Sequence, residues 1–212
     1  MTHTHVEADQ RTDRQPQMQA RAHKTRSAIL DAAAHQFDVL GYAETSISTI
    51  VATGELTKGS IYFHFSSKEA IAQHLIDDWS HSVLQTIAAS DTAASTPERI
   101  RAVFVDIARD VADNTHLRAG MKLTLEPSIS NAAFAYWIHE VDSLVRTAVT
   151  AGELDDHALT RRLALNLCAG AIGAVHAHTG APEIISLVTR IDDLVVAHVN
   201  TAVSTVRRST SR

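Results

Sequence analysis

The residues best suited to chemistry lie together in the segment LTKGSIYFHFSSKE, residues 56–69. Thr57 and Lys58 bring a hydroxyl and an ammonium group, which can bind phosphate oxygens or the edges of bases. Tyr62 and His64 each carry a polar tip on an apolar ring, which suits a phosphate contact at the rim of such a surface. Taken singly, these side chains are better explained as packed surface aromatics and a solvated charge. Their combination favours nucleic-acid binding.

Two short helices are predicted to position this segment. The first begins at a cap supplied by Thr45 or Ser46, and the second runs from Lys58 to about Phe63 after a turn that contains one Gly. Such a pair is the helix-turn-helix plan, in which the second helix enters the major groove by its N-terminal residues. Gly59 has no side chain there, so DNA can approach the backbone closely.

Further hydroxyl and basic side chains extend this surface, because hydroxyls can donate to phosphate and cations can neutralise it. The candidate DNA contacts are Lys24, Arg26, Thr45, Ser46, Ser48, Thr57, Lys58, Gly59, Tyr62, His64 and Lys68. The apolar residues Ile61, Phe63 and Phe65 alternate with polar ones, which predicts that all three pack inward.

The remainder of the chain is predicted to be helical, so the fold class is all-α. Apolar residues at steps of three and four indicate a first helix from about Arg21 to Leu40, which Gly41 ends. A second long helix begins at Ser66 or Ser67, and Thr96 is the expected cap of the helix after a polar linker. The later helices are expected at about 97–113, 116–126, 131–151, 155–178 and 182–205.

The composition is typical of a globular protein, but the charges are unevenly distributed along the chain. The 212 residues are 45% apolar with 8 Gly and 4 Pro, which excludes a disordered or collagen-like protein. The net charge of −5 taken alone argues against nucleic acid. By region, however, residues 1–26 carry +2, residues 27–206 carry −10 and residues 207–212 carry +3. The basic surplus therefore lies just ahead of the predicted helix-turn-helix.

The sequence contains no secretory signal and no run of about 20 apolar residues, so we expect a soluble, cytoplasmic protein. The single Cys168 excludes an internal disulfide and a cysteine-based zinc site. The 13 His residues are not spaced as a ligand set, and we predict no metal and no cofactor. No Gly-rich phosphate loop, nucleophile elbow or HExxH pattern occurs, so a helical enzyme is only a remote alternative.

Residues 24–70 closely resemble the N-terminal domain of the TetR family of bacterial transcriptional regulators. The matching segments are KTRSAILDAAAHQFDVLGY and TSISTIVATGELTKGSIYFHFSSKEAI. The resemblance implies three DNA-binding helices, about six helices for ligand binding and dimerisation, and a two-fold dimer on a palindromic operator that a small molecule releases. The implied organisation is a disordered arm at 1–20, a helix-turn-helix domain at 21–70, a ligand-binding and dimerisation domain at 71–205 and a basic tail at 206–212.

A narrower resemblance points to the γ-butyrolactone receptor branch of that family. It rests on YFHF, on LRAGMKLTLE at 117–126 and on FAYWIHEVDSLVRTAVTAGEL at 134–154. Members of the branch repress antibiotic and morphological genes in actinomycetes until a diffusible signal binds. They place a Trp in the ligand pocket, and Trp137 matches it. The alternative is a TetR-type repressor that senses another apolar effector, such as an acyl-CoA, a furan or an antibiotic-like compound.

An apolar pocket with few polar groups would suit such a ligand. Phe134 and Trp137 are three apart and share a helix face, and the Trp indole N–H can bond a carbonyl. The candidate pocket residues are Met121, Leu123, Leu125, Phe134, Trp137, Leu144, Cys168 and Val175. The alternative for the aliphatic members is that they are ordinary core.

The last two helices are predicted to form the dimer interface. Small residues at helical spacing would allow close helix approach; they are Ala169, Gly170, Ala171, Gly173 and Ala174. The final helix carries more apolar residues than one core-facing stripe needs, namely Ile184, Leu187, Val188, Ile191, Leu194, Val195 and Val199. A two-fold dimer would space the two recognition helices by one DNA turn.

Overall fold

The computed structural model describes residues 5–90, 95–178 and 186–203, with the backbone alone for 5–17. These residues contain no β-strand, in agreement with the predicted all-α class. The helices are α1 (His5–Leu40), α2 (Ile47–Thr53), α3 (Lys58–His64), α4 (Lys68–Ala89), α5 (Thr96–Asp113), α6 (Thr115–Leu123), α7 (Ala133–Thr150), a 3-10 turn (Thr160–Arg162), α8 (Leu163–His178) and α9 (Leu187–Ala202).

The chain divides into two compact units, Met1–Ile71 and Ala72–Arg212, and helix α4 runs from the first into the second. This division lies next to the boundary expected between residues 70 and 71. The basic tail predicted at 206–212 and the residues before His5 lie outside the described part of the chain.

Helix α1 is longer than the sequence pattern indicated. It begins at His5 rather than near Arg21, so the stretch expected to be a disordered arm is helical from His5 onward. That stretch contains no Gly, and half of its residues from His5 to Ala20 are Gln, Arg or Ala, which are good helix formers. The apolar stripe predicted for its second half is present, because Ile29, Ala33 and Phe37 are all buried.

Capping residues fix both short helices of the first unit. Ser46 and Thr49 exchange hydrogen bonds at the start of α2, and Thr57 and Ser60 do the same at the start of α3. Each pair satisfies backbone donors that a helix start otherwise leaves free. The turn between the helices passes through Glu55, whose φ of 52° lies in the left-handed region.

The second unit is built around a large apolar core to which helices α4 to α9 all contribute. Its first complete helix, α5, is capped by Ser95 rather than by Thr96, whose backbone N–H instead donates to the Glu153 carboxylate at 3.0 Å. Helix α8 begins at Leu163, later than expected. The preceding chain is held in a turn, where the His157 ring accepts from the backbone N–H groups of Leu159 and Thr160.

Helix α6 crosses α4 with its backbone in direct contact. A Cβ atom on Gly120 would lie 2.2 Å from the Leu75 carbonyl oxygen and 2.8 Å from Trp79 Cβ. Only glycine allows this crossing without displacement of one helix. Within the described residues, no helix combines the length and the apolar character that a membrane span requires.

Candidate DNA-binding surface and ligand site

Helix α3 presents one exposed face and one buried face. Ile61 and Phe65 are buried, whereas Lys58, Gly59 and Tyr62 are exposed. These three exposed residues are all among those predicted to contact DNA, so α3 offers them together on one surface. His64, also predicted, is half-buried beside them.

Phe63 contradicts the sequence prediction, because its side chain is 81% exposed. The alternation of polar and apolar residues suggested an inward position, but Lys58–His64 is an α-helix, in which residues four apart share a face. Ile61 and Phe65 therefore point inward together, and Phe63 points outward with its ring edge-on to His64 at 5.0 Å between centroids. The helical spacing of 61 and 65 was the signal that could have identified it.

The hydroxyls before and within α2 are placed unequally. Ser46 and Ser48 are exposed, and the Ser46 hydroxyl accepts from the Thr49 backbone N–H at 3.1 Å. Thr45 is 2% exposed, and its hydroxyl donates to the Gly41 carbonyl at 2.7 Å. Thr45 is therefore wrongly included among the phosphate contacts, because its donor is used to close the turn after α1.

The charged group of Lys68 is likewise bound to other residues of the first unit. Its ammonium group donates to the backbone carbonyls of Tyr42 at 2.7 Å and Thr45 at 2.8 Å, and lies 4.0 Å from the centroid of the Tyr42 ring. Such an arrangement ties α4 to the loop after α1. Lys68 stabilises the first unit instead of offering a free charge, which corrects its predicted role.

The two basic residues predicted on α1 differ in exposure. Lys24 is exposed, whereas Arg26 is half-buried with its guanidinium 4.9 Å from the centroid of the Phe65 ring. Lys24 thus remains a simple solvent-facing charge, and Arg26 packs beside the C-terminal end of α3.

In the second unit, Trp137 lies at the centre of a cluster of aromatic rings. Its ring centroid is 5.4 Å from Trp79, 5.7 Å from Phe104 and 6.4 Å from Phe134. The side chain is 2% exposed. Among buried side-chain nitrogen and oxygen atoms of the described residues, Trp137 Nε1 alone has no hydrogen-bond partner. A buried donor in that state costs about 1–3 kcal/mol, and an acceptor brought by a ligand would recover it.

Most of the other predicted pocket residues share the core with Trp137. Met121, Leu144, Cys168 and Val175 belong to the same buried cluster, and Phe134 packs against it. Burial raises the pKa of the Cys168 thiol well above its usual range, so the thiol is neutral.

Two predicted pocket residues lie elsewhere. Leu123 is buried but is not a member of the cluster around Trp137. Leu125 is 46% exposed, because α6 ends at Leu123 and the chain turns outward. Leu125 is therefore wrongly assigned to a buried pocket.

Three surface clefts in the described residues are separate from the aromatic cluster. One, of about 510 Å³, lies between α7 and the 3-10 turn and contains Arg146 and Arg161. The others lie between α5 and α9 and between α8 and α9. None of the three is lined by a predicted pocket residue. No group of three or more His, Cys, Asp or Glu residues in the described ranges is arranged to hold a metal ion.

Much of the surface of the predicted interface helices packs against other parts of the same chain. Leu187, Ile191, Val195 and Val199 of α9 are all buried, so they provide no excess face, and Ile184 lies outside the described residues. Gly170 faces inward, since a Cβ there would lie 2.5 Å from Leu194. The small and apolar residues left exposed on α8 and α9 are Leu165, Ala169, Gly173, Ala177, Val196 and Ala197.

Comparison with known proteins finds similarity to bacterial regulatory proteins in the part of the chain that contains α2 and α3. Residues 29–75 match the family model described as bacterial regulatory proteins of the tetR family. The chain is 51% identical over 65 residues to the A-factor receptor protein of Streptomyces griseus, a match that covers 31% of this chain and 24% of that protein. The first three curated relatives are covered over only 24% to 37% of their length.

Solved structures match over most of the chain. A γ-butyrolactone receptor described as ArpA-like aligns with a TM-score of 0.68 and 25% identity, over 86% of this chain and all of that one. The TetR family protein CprB from Streptomyces coelicolor, solved in complex with its biological operator sequence, aligns with a TM-score of 0.74 and 26% identity, over 90% and 94% of the two chains. The predicted all-α fold and the resemblance to this branch of TetR regulators are confirmed.

Proposed function

We propose that this chain, a DNA-binding transcriptional regulator of the tetR type, is a repressor that binds palindromic operator DNA as a dimer and is released by a small γ-butyrolactone-like signal. The observation that carries the ligand part of this proposal is the buried, unpartnered indole N–H of Trp137. A lactone carbonyl is a hydrogen-bond acceptor, and the rings around Trp137 suit an attached alkyl chain. Such a regulator acts in the cytoplasm, where operator DNA lies.

DNA binding in this proposal uses the exposed face of α3 and the start of α2. Lys58 and Tyr62 hold phosphates, and the backbone at Gly59 approaches the base edges. The hydroxyls of Ser46 and Ser48 add phosphate contacts. Lys24 on α1 supplies a charge along the backbone.

Ligand binding requires the aromatic cluster to open, because the rings around Trp137 are packed against one another. Trp79 is one of these rings and lies on α4, the helix that continues into the first unit. A ligand that separates Trp137 from Trp79 therefore acts on α4. Release of DNA follows if the ligand binds the conformation with low operator affinity more tightly than the other, since tight binding alone shifts nothing.

Dimerisation in this proposal uses the surface left over after each chain has packed its own core. Leu165, Ala169 and Gly173 are spaced by four and form an exposed stripe along α8. Val196 and Ala197 provide an apolar patch on α9. Two copies related by a two-fold axis would bury these stripes against each other.

The proposal is tested by selecting bound duplexes from a random DNA pool, first with protein alone and then with an added synthetic γ-butyrolactone. We expect an inverted repeat to be enriched, and the lactone to abolish its enrichment. Enrichment of a sequence without two-fold symmetry would contradict the dimer. Enrichment that survives the lactone but is lost with an acyl-CoA, a furan or an antibiotic-like compound would favour the alternative effector.

A further inference from the structure

Two features of α3 have no role in folding this chain. The Phe63 side chain is 81% exposed, although a buried phenyl ring would stabilise the unit. Gly59 occupies a helical position although glycine is a poor helix former. Its φ is not in the left-handed region, and the nearest atom to a Cβ built there is Thr57 Oγ1 at 3.9 Å. Alanine would fit at this position, so the fold does not require glycine.

The two features lie on the same face of the helix. Residues 59 and 63 are four apart, so Phe63 stands one turn beyond the bare backbone of Gly59. His64 meets the Phe63 ring edge-on at 5.0 Å, which restricts the directions the ring can take. The result is a notch with a floor of backbone at Gly59 and one apolar wall at Phe63.

We infer that this notch reads the C5-methyl group of a thymine in each operator half-site. The inference rests on the proposed function and deepens it by naming what α3 recognises. The thymine methyl is the one apolar group that a base presents in the major groove, and phenylalanine is among the side chains that contact it. The bare backbone at Gly59 lets the base edge come close enough for the ring to cover the methyl.

Charge supports DNA as the occupant of the notch over an apolar protein partner. Lys58 is exposed beside Gly59, and Tyr62, four residues further on, brings a hydroxyl to the same surface. A cation and a hydroxyl that flank an apolar notch match a phosphate backbone that flanks a thymine methyl.

The experiment replaces each thymine of the selected operator in turn by deoxyuridine, which differs only in lacking the methyl, first in one half-site and then in both. Binding is measured by fluorescence anisotropy at constant salt. We expect one position to weaken wild-type binding by about fourfold when one half-site is changed and by about fifteenfold when both are. Phe63→Ala should bind the thymine and deoxyuridine duplexes equally, and Phe63→Leu should keep part of the difference.

Gly59→Ala and Leu40→Ala complete the design. Gly59→Ala should leave the melting temperature unchanged or higher while it weakens operator binding, because the added methyl obstructs the base edge and not the fold. Leu40 is an apolar residue of α1 that is 49% exposed, and Leu40→Ala should leave both affinity and deoxyuridine sensitivity unchanged.

Each contrary outcome has a distinct meaning. If wild-type protein binds no duplex from the pool, both the proposed function and this inference fail. If it binds the operator but tolerates deoxyuridine at every position, only the inference fails. It also fails if Phe63→Ala leaves affinity unchanged, or if Phe63→Ala keeps the deoxyuridine sensitivity, since another residue would then read the methyl.

Discussion

The indole rings of Trp79 and Trp137 meet edge to face, with centroids 5.4 Å apart and planes at 86°. Trp79 lies on α4 and Trp137 on α7, so the residue with the unpartnered N–H touches the helix that runs from the first unit into the second. An edge-to-face pair is stabilised by about 0.5–1.5 kcal/mol beyond its buried area. A ligand that displaces the Trp137 ring would therefore directly alter its contact with α4.

Trp137→Phe should weaken ligand binding without weakening operator binding. The substitution removes the N–H and keeps an aromatic ring, so a lost hydrogen bond of about 1.4 kcal/mol lowers the affinity for a γ-butyrolactone about tenfold. Isothermal titration calorimetry measures the ligand, and anisotropy measures the operator. A variant that responds to the lactone as well as wild type would refute the assigned role of Trp137.

The same exchange on the facing ring, Trp79→Phe, is the matched control. It leaves the Trp137 N–H in place, so ligand affinity should stay within about threefold of wild type. The ratio of operator affinities with and without ligand should shrink, because the contact to α4 is weakened. An unchanged ratio would mean that the signal reaches α4 by another contact.

Lys58→Ala and Lys68→Ala should separate a DNA contact from a structural one. Loss of the exposed Lys58 should weaken operator binding, reduce the slope of log affinity against log salt by about 1, and leave the melting temperature unchanged. Loss of Lys68 should lower the melting temperature, because two hydrogen bonds to backbone carbonyls are lost. Reversed results would place the phosphate contact at Lys68.

The sequence predicted the helix-turn-helix closely because its signals are local. The Ser46 and Thr57 caps each bond a residue three positions away, and apolar spacing indicates which face of a helix is buried. The role of Lys68 was predicted wrongly for the opposite reason. Lys68 bonds carbonyls 23 and 26 residues away, and nothing in residue spacing reports such a contact.

The proposed ligand site was only partly predictable. Sequence resemblance singled out Trp137, but its unpartnered N–H results from rings of four residues on α4, α5 and α7 packing together. The position of Leu125 depended on where α6 ends, and α6 ends at Leu123, three residues before the expected end at about 126. Helix ends are set by turn contacts that an apolar stripe does not encode.

Gly173→Glu should convert the proposed dimer into monomers. Apart from its two neighbours and the backbone of its own helix, no atom of the described residues lies within 4 Å of a Cβ at this position, so the substitution should not disturb folding of a single chain. A carboxylate buried between two α8 helices would be unpaired and strongly unfavourable. Sedimentation velocity should show the loss of dimer, whereas Ala112→Glu on the exposed part of α5 should not. A dimeric Gly173→Glu protein would show that α8 is not the interface.

Stability should fall in alkaline solution because of Cys168. Burial raises the pKa of this thiol in the folded state, whereas the pKa of a thiol in the unfolded chain is about 8.5. Its contribution to the free energy of unfolding is therefore constant below that pH. Above it, the free energy falls by about 1.4 kcal/mol per pH unit, because only the unfolded state loses the proton. Urea unfolding of wild type and Cys168→Ala between pH 7 and 10 isolates this slope, and parallel curves would contradict a buried neutral thiol.

The most direct test of the whole account is a gel-shift titration of the selected operator in the absence and presence of saturating γ-butyrolactone. The account predicts that the lactone lowers operator affinity about tenfold or more, through its preference for the conformation that does not bind DNA. Full operator affinity in ligand-saturated protein would contradict it.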